Sequence, residues 1–220
     1  MGQYFHKRNT LTGSNTINYS DIKDTALQYS NREDEETAAI ITRFMPVVES
    51  RINRALDTKD MSWRSVLLMD ESQRFYGLPT GFMSMRDIQV QDSVGGDSQL
   101  TPVYVAPEAM NAAITNSSDK LIYTIIANQI QVHPLQTDKQ LEIVYRKRVT
   151  PLSDGDPSNW LSDQAPDVYI FGLLVEISSY AQNAEAASLW DGRFVGAMNE
   201  LQREDDINRW SGPSLRIQLG

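Results

Sequence analysis

The chain offers few side chains from which a catalytic or metal site could be built. It has two histidines, His6 and His133, and no cysteine, so disulfides and thiolate metal sites are excluded. Neither histidine has a Glu or a second His at the spacing of a metal-ligand set. The sequence therefore predicts no metal and no cofactor, and it disfavours a catalytic role for either histidine.

Two glycine-containing segments match ligand-binding loops only in part. Residues 77–81, Gly-Leu-Pro-Thr-Gly, lack the following Lys-Ser/Thr of a phosphate-binding loop. Residues 154–156, Asp-Gly-Asp, lack the spacing and terminal Glu of a calcium loop. We interpret both as turns. A nucleophile elbow and a dinucleotide-binding fingerprint are also missing from the sequence, so we predict that the protein is not an enzyme.

Carboxylates are frequent and form two runs, residues 33–36 and 204–206. The first run occupies the start of a predicted helix, where the helix dipole favours negative charge. The second lies near a predicted helix C-terminus, where the dipole disfavours it. We interpret that run as a solvated face, with a partner-facing site as the alternative. An acid–base hydrolase would require two carboxyls converging in one pocket with perturbed pKa values, and the sequence does not demand this.

The overall charge points away from specific nucleic-acid binding. The 20 Lys and Arg residues against 29 Asp and Glu give a formal net charge of -9, so the surface as a whole has no attraction for phosphates. Such a surface would suit a wall that DNA slides past. The longest apolar run, residues 168–177, is interrupted by Glu176 and is too short for a membrane span. The first eight residues lack an apolar stretch, so we expect no signal peptide.

Helical patterns occur at both ends of the chain. Ser20 is a suitable N-cap for a helix over residues 21–29, and Asn31 for a longer amphipathic helix over residues 32–56. Pro166 suits the first position of a helix that reaches residue 182, and a further helix covers residues 185–207. Its predicted buried set is Leu189, Trp190, Phe194, Val195, Met198 and Leu201.

The middle of the chain has the pattern of short strands separated by turn residues. Ala127-Asn128 is typical of a tight hairpin turn. Residues 141–145 alternate only in part, which indicates a strand buried on both faces. A short helix or a loop over residues 107–114 is equally compatible with the pattern. The predicted strands are residues 65–69, 85–91, 103–105, 121–126, 129–133 and 141–148.

These patterns predict an α+β fold in which helices from both termini form one antiparallel-type helical bundle around a β-rich insertion. The bundle would comprise residues 18–57 and 151–208, and the insertion residues 58–150. Residues 1–17 are predicted to be an extended N-terminal arm. Residues 209–220 are predicted to be an extended C-terminal tail.

The predicted C-terminal tail is unusually apolar for a free chain end. A coil of this kind cannot bury large side chains well alone, so we predict that it contacts a partner. Four tryptophans could serve as aromatic anchors, and Trp210 is the best candidate because it lies in the tail. The candidate partner-interface residues are Trp210, Leu215, Arg216, Ile217 and Leu219.

The chain also resembles a known family in the order and spacing of several segments. The segments are residues 48–56 (Val-Glu-Ser-Arg-Ile-Asn-Arg-Ala-Leu), 76–82 (Tyr-Gly-Leu-Pro-Thr-Gly-Phe), 141–148 (Leu-Glu-Ile-Val-Tyr-Arg-Lys-Arg), 151–154 (Pro-Leu-Ser-Asp), 158–161 (Ser-Asn-Trp-Leu) and 165–176 (Ala-Pro-Asp-Val-Tyr-Ile-Phe-Gly-Leu-Leu-Val-Glu), followed by Leu189-Trp190 and Leu201. Together they resemble the head-to-tail adaptors that join the portal to the tail in bacteriophages. The likeness touches most of the chain beyond residue 18.

The resemblance implies a structural protein with no catalytic residues. It implies a ring, of twelve copies because portals are twelve-fold, that contacts the portal and the tail or nozzle proteins and encloses the DNA channel. Genomic DNA would pass through without specific binding, and no membrane would be involved. The protein would be made in the host cytoplasm and reside in the virion at the head–tail interface. The alternatives are another virion component, such as a tail-tube or head-completion protein, a hydrolase, or a regulatory binding module.

Overall fold

The computed structural model describes residues 17–32, 34–92, 99–116 and 120–210. Over these residues the chain is a mixed α+β protein, which confirms the predicted fold class at that level. The chain divides into two compact units. The first comprises the described residues of 1–50 and 151–198, and the second those of 51–150 and 199–220. The predicted boundaries of bundle and insertion remain a prediction.

Within the described residues the helical segments lie mostly where the periodicity placed them. The short helix α4 was not predicted, because it has a single turn. None of these helices combines the length and the apolar character needed to cross a bilayer. The helices are α1 (Tyr19–Ser30), α2 (Glu35–Ala55), α3 (Met110–Asn116), α4 (Trp160–Gln164), α5 (Pro166–Tyr180) and α6 (Ala184–Trp210).

The start of α1 differs from the prediction because a better cap precedes it. Asn18 Oδ1 accepts a hydrogen bond from the Asp21 amide at 3.0 Å, and Asp21 Oδ2 accepts one from the Asn18 amide at 3.0 Å. This reciprocal capping box satisfies two amides that would otherwise lack partners. Ser20 lies within the first turn, so the prediction that it caps the helix was wrong.

The junction between α1 and α2 also differs from the prediction. Asn31 adopts the left-handed conformation (φ 51°) that closes α1, so it does not cap α2. Helix α2 begins at Glu35, not at residue 32. Asp34 Oδ1 accepts a hydrogen bond from the Thr37 amide at 2.8 Å, which satisfies an amide of the first turn.

Helix α6 is less buried than its pattern suggested. Phe194 and Met198 are buried, but Leu189 is 55% exposed and Val195 is also exposed. At about 100° per residue, Val195 points well away from the direction of Phe194. The predicted buried set was therefore too wide. The helix also continues to Trp210, three residues beyond its predicted end at Ile207.

Eight strands occur in the described part of the second unit. The hairpin turn at Ala127-Asn128 is confirmed, since β6 and β7 pair antiparallel around it. Strands β2 and β4 were not predicted, because two or three residues carry too little pattern. The strands are β1 (Ser62–Leu68), β2 (Phe75–Gly77), β3 (Phe82–Asp92), β4 (Gln99–Leu100), β5 (Val103–Tyr104), β6 (Ile122–Ile126), β7 (Gln129–His133) and β8 (Lys139–Lys147).

The strands form two four-stranded sheets, with orders β1-β8-β3-β4 and β2-β7-β6-β5. Side chains from both sheets share one apolar core. Strand β8 is central, yet only Leu141, Ile143 and Tyr145 are buried while its other side chains are half-buried, so the prediction of burial on both faces was wrong. The core residues are Met69, Tyr76, Ile88, Val90, Tyr123, Ile130, Val132, Leu141, Ile143 and Tyr145.

Close packing in the first unit depends on a glycine. Gly172 of α5 is buried, and a Cβ placed on it would lie 2.5 Å from Val48 Cγ1 and 3.1 Å from Phe194 Cε2. Side chains from α2 and α6 therefore occupy the space that any larger residue would need. The predicted position of Pro166 at the start of α5 is confirmed.

Candidate interaction surfaces

The two segments that partly match ligand-binding loops, residues 77–81 and 154–156, have structural roles. Gly77 ends β2 and residues 78–81 join it to β3 as a turn; these four residues line a cavity of about 280 Å³ together with Phe82 and Asn128. At residues 153–156, the Ser153 amide donates to the Asp156 carbonyl and the Asp156 amide donates to Ser153 Oγ, both at 3.0 Å. Both segments are turns, as predicted. His133 ends β7 and is half-buried, whereas His6 lies outside the described residues.

Over the residues that the structure describes, no group of three or more His, Asp or Glu side chains is arranged to hold a metal ion. The predicted interface residues lie mostly beyond this part of the chain. The backbone of Trp210 forms the last position of α6, but its side chain is not described. Leu215, Arg216, Ile217 and Leu219 lie outside the described residues.

The second acidic run contains a buried carboxylate with partners in its own unit. The Asp205 side chain is 4% exposed, and its Oδ2 lies 2.7 Å from Arg209 Nε. Its Oδ1 accepts a hydrogen bond from the Lys59 amide at 3.0 Å. The interpretation of residues 204–206 as a uniformly solvated face was therefore wrong at Asp205. Buried carboxylates are stable only when such partners compensate their lost hydration.

Asp205 is one member of a polar network that joins the C-terminal turns of α6 to the loop after α2. The Asp57 amide donates to Gln202 Oε1 at 3.1 Å, and Arg209 donates to the Asp57 carbonyl at 2.9 Å. The Asp57 carboxylate in turn pairs with Arg86 of β3. This polar network fixes the point at which the chain leaves α6 towards its C-terminal residues.

Strand β1 lies at one edge of the second unit's first sheet and has no buried residue. It pairs with β8 along one edge and lies at the end of the strand order. All seven of its residues are exposed or half-buried. Leu68 is 72% exposed, and Trp63 and Val66 are exposed as well. Exposed edge strands of this length are surfaces on which other chains pair.

Charged groups near β1 are engaged with partners on the same sheet. Arg64 forms a bidentate pair with Glu142 of β8, with Nη2 to Oε2 at 2.6 Å. This guanidinium holds the pKa of Glu142 below its usual value. Lys147 Nζ lies 3.8 Å from the centroid of the Trp63 ring, a cation–π contact. The strand therefore presents apolar side chains and backbone without an unengaged positive charge of its own.

A second exposed surface lies in the first unit. The Trp190 ring stacks with Tyr29 and with Phe171, at centroid distances of 6.5 Å and 5.9 Å. The Arg193 guanidinium lies 4.8 Å from the Trp190 centroid, and Leu189 is exposed on the same helix. We call Tyr29, Phe171, Trp190 and Arg193 the aromatic cluster. Trp, Tyr and Arg are the residues that most often anchor protein interfaces.

Buried polar groups in the first unit hold the loop between β8 and α4 in place. Glu49 Oε1 accepts a hydrogen bond from the Leu152 amide at 2.7 Å. Burial raises the pKa of Glu49 above its ordinary value, although that hydrogen bond opposes the shift. Asn159 Nδ2 donates to the buried Tyr169 hydroxyl at 2.9 Å, and burial raises the pKa of Tyr169. These hydrogen bonds satisfy the buried polar groups, so we assign Glu49, Asn159 and Tyr169 a structural role.

Sequence reasoning did not identify the polar network or the exposed edge. Asp57 and Asp205 are separated by well over a hundred residues, so no local pattern connects them. The sequence did predict a strand at residues 65–69, which overlaps most of β1 (Ser62–Leu68). The spacing could not reveal that β1 lies at the end of a sheet, because strand order depends on long-range pairing.

Comparison with known proteins connects these features to a family. A family model described as SU10 adaptor protein matches residues 17–217. The match covers nearly the whole chain, including every described residue and both exposed surfaces. No curated protein matches the chain.

Proposed function

The chain belongs to the SU10 adaptor protein family, a family of bacteriophage adaptors, and from this membership we propose that it is a ring-forming head-to-tail adaptor. In this proposal the ring joins the portal to the tail and encloses the DNA channel, with twelve copies to match the portal. The protein has a structural role in the virion and no enzymatic activity. The observation that carries the proposal is the family match over residues 17–217.

The exposed surfaces support an assembly role. A closed ring needs heterologous contacts, in which one patch of a subunit meets a different patch of the next. The aromatic cluster, with exposed Tyr29 and half-buried Phe171 and Trp190, and the edge of β1 are two distinct patches on which apolar side chains contact water. The helices from both ends of the chain would form the bundle, and the β-rich middle would overlap the neighbouring copy.

The net charge of -9 suits the proposed channel. A wall of negative charge does not retain the phosphate backbone, so DNA could pass without being bound. In the same proposal the predicted interface residues Trp210, Leu215, Arg216, Ile217 and Leu219 contact the portal or an adjacent subunit.

The proposal is tested by the mass of the purified chain with and without portal rings. We expect a complex whose added mass corresponds to about one copy of this chain per portal subunit. A chain that does not bind the portal rings at any concentration would contradict the adaptor function. A tail-tube protein would give open-ended polymers, which electron microscopy distinguishes from a closed ring.

The C-terminal residues provide a more specific test. Deletion of residues 209–220 should abolish head–tail joining while circular dichroism still reports a folded chain, with lower stability because Arg209 is lost from the polar network. A full-length variant with Leu215→Ser, Ile217→Ser and Leu219→Ser keeps the length and removes the apolar character, so it should fail in the same way. Normal joining by both variants would refute the proposed role of these residues.

A further inference from the structure

We propose that the free edge of β1 binds residues 215–219 of a second copy of this chain, which add to the sheet as a further strand. The inference rests on the proposed function, because it assigns a surface to the contact between neighbouring copies in the ring. It specifies the predicted partner of the C-terminal residues as another adaptor subunit.

The receiving surface is the longest open edge among the described strands. Strand β1 has seven residues and pairs with β8 along one edge only in the described part of the chain. The other strands at the ends of the two sheets, β2, β4 and β5, have three residues or fewer. An added strand gains backbone hydrogen bonds in proportion to the length of the edge, so β1 is the edge best able to hold one.

Strand β1 also lacks the features by which proteins protect an open edge. Proline and lysine are missing from its sequence, Ser-Trp-Arg-Ser-Val-Leu-Leu, and such residues are common deterrents to edge pairing. Its one charged side chain, Arg64, is directed along the sheet to Glu142 and not outwards against an incoming strand. Leu68 and Val66 are exposed at the same time.

The proposed occupant has the matching pattern. Residues 215–219 read Leu-Arg-Ile-Gln-Leu, a strict alternation of apolar and polar side chains that is typical of a half-buried strand. Gly212 and Pro213 separate this segment from α6 and are residues that end helices. The other chain end, residues 1–16, contains no comparable alternation. The C-terminal segment is therefore the part of this chain best suited to lie against β1.

The C-terminal segment leaves the end of α6 from a fixed point and is long enough to reach a second copy of the chain. Asp205 and Arg209 hold the end of α6 to the loop at Asp57 and Lys59, so the segment leaves from a fixed point. Ten residues follow Trp210, and an extended chain of that length reaches about 33–36 Å. Pairing within one chain would bury both surfaces in the monomer. Pairing between chains uses them as the two unlike patches that a ring requires.

The test uses the absence of natural cysteines in the chain. Val66→Cys is prepared in one full-length chain, and Leu215→Cys, Arg216→Cys, Ile217→Cys or Gln218→Cys in a second chain that carries a size tag. Equal amounts are mixed with portal rings, and separately without them, over a range of concentrations, and then oxidised. A paired strand places alternate side chains within disulfide distance of position 66. We therefore expect disulfides between the two chains, and their yield should alternate between high and low from position 215 to position 218.

Two controls define the result. Leu189→Cys replaces Val66→Cys as an apolar site in the first unit that is more exposed than Val66, at 55% against 39%, and it should give a low yield without periodicity. Adding Ile217→Asp to the Leu215→Cys chain should lower the yield of its disulfide with position 66 by about tenfold or more, since it removes one buried aliphatic side chain and places a charge there.

The outcomes separate this inference from the proposed function. Periodic disulfides between chains support the pairing, whether or not the portal is bound. The pairing is overturned by uniform yields or by no disulfides in either mixture. It is also overturned if a Val66→Cys/Ile217→Cys double variant forms the disulfide within one chain while no disulfide forms between chains. Ring formation on the portal without the periodic disulfides leaves the adaptor function standing and removes the pairing. Periodic disulfides without portal binding would support the pairing and contradict the adaptor function.

Discussion

Replacing Asp205 with alanine tests whether the polar network fixes the end of α6. The carboxylate is nearly inaccessible to water and has two partners, the Lys59 amide at 3.0 Å and Arg209 Nε at 2.7 Å. Asp205→Ala removes the acceptor from a partly buried amide hydrogen bond and leaves the guanidinium without its carboxylate. Both losses act on the folded state, because neither contact persists in an unfolded chain.

The expected magnitude follows from the two contacts. A hydrogen bond to a charged, buried acceptor contributes about 1.5–3 kcal/mol. The Arg209 side chain is 34% exposed, so water screens the ion pair and its contribution is at most about 1 kcal/mol. We therefore expect Asp205→Ala to lower the free energy of unfolding by about 3 kcal/mol. Asp205→Asn keeps an acceptor oxygen and should cost about 1 kcal/mol.

The assay is urea unfolding followed by circular dichroism. With a slope of about 2 kcal/mol per molar urea, the Asp205→Ala midpoint should fall by about 1.5 M. Glu204→Ala is the matched control, since the neighbouring carboxylate is exposed and its removal should change the stability by less than about 0.5 kcal/mol. If Asp205→Ala and Glu204→Ala have the same midpoint, the network does not stabilise the end of α6.

Two further substitutions test the first unit. Gly172→Ala should destabilise it by about 1–3 kcal/mol in a thermal unfolding experiment, because the new Cβ would lie 2.5 Å from Val48 Cγ1. Glu49→Gln tests a pH dependence: burial raises the folded-state pKa of Glu49 above its ordinary value of 4.5, so the folded state holds the proton more tightly. The wild type should then lose stability relative to Glu49→Gln as the pH rises through 4.5 and above.

Each of these expectations has a comparison that could contradict it. Gly192 lies in a helix with open space around its missing Cβ, so Gly192→Ala should stabilise the chain by roughly 0.5–1 kcal/mol. Equal effects at Gly172 and Gly192 would show that the close approach of Val48 does not matter. For Glu49, a difference in stability between wild type and Glu49→Gln that stays constant from pH 4 to pH 7 would show that the carboxyl is not desolvated.

The helices and most strands could be predicted because their signals are local. The period of apolar residues located α2, α5 and α6, and the alternation around Ala127-Asn128 located a hairpin. The cap of α1 was predicted wrongly because Ser20 has a suitable side chain, and Asn18, two residues earlier, was not considered. Asn18 caps the helix because its pairing with Asp21 satisfies two amides at once.

The surfaces could not be predicted because they depend on contacts between distant residues. A carboxylate such as Asp205 looks solvated in a run of three acidic residues, and only the fold brings Lys59 and Arg209 to it. Likewise, Leu189 and Phe194 are both apolar residues of α6, yet one is exposed and the other buried. Spacing gives the direction of a side chain around its helix, but it does not give the width of the surface that covers the helix.

The charge of the chain limits which forces can hold copies together in the proposed ring. With a net charge of -9, two copies repel one another at long range, and at physiological ionic strength this repulsion decays over about 8 Å. Attraction must then come from short-range contacts, namely apolar burial and backbone hydrogen bonds. The edge of β1 and the aromatic cluster supply both kinds of contact, and neither requires an unpaired charge. A ring built on these surfaces could close its subunit contacts while the acidic side chains elsewhere remain hydrated.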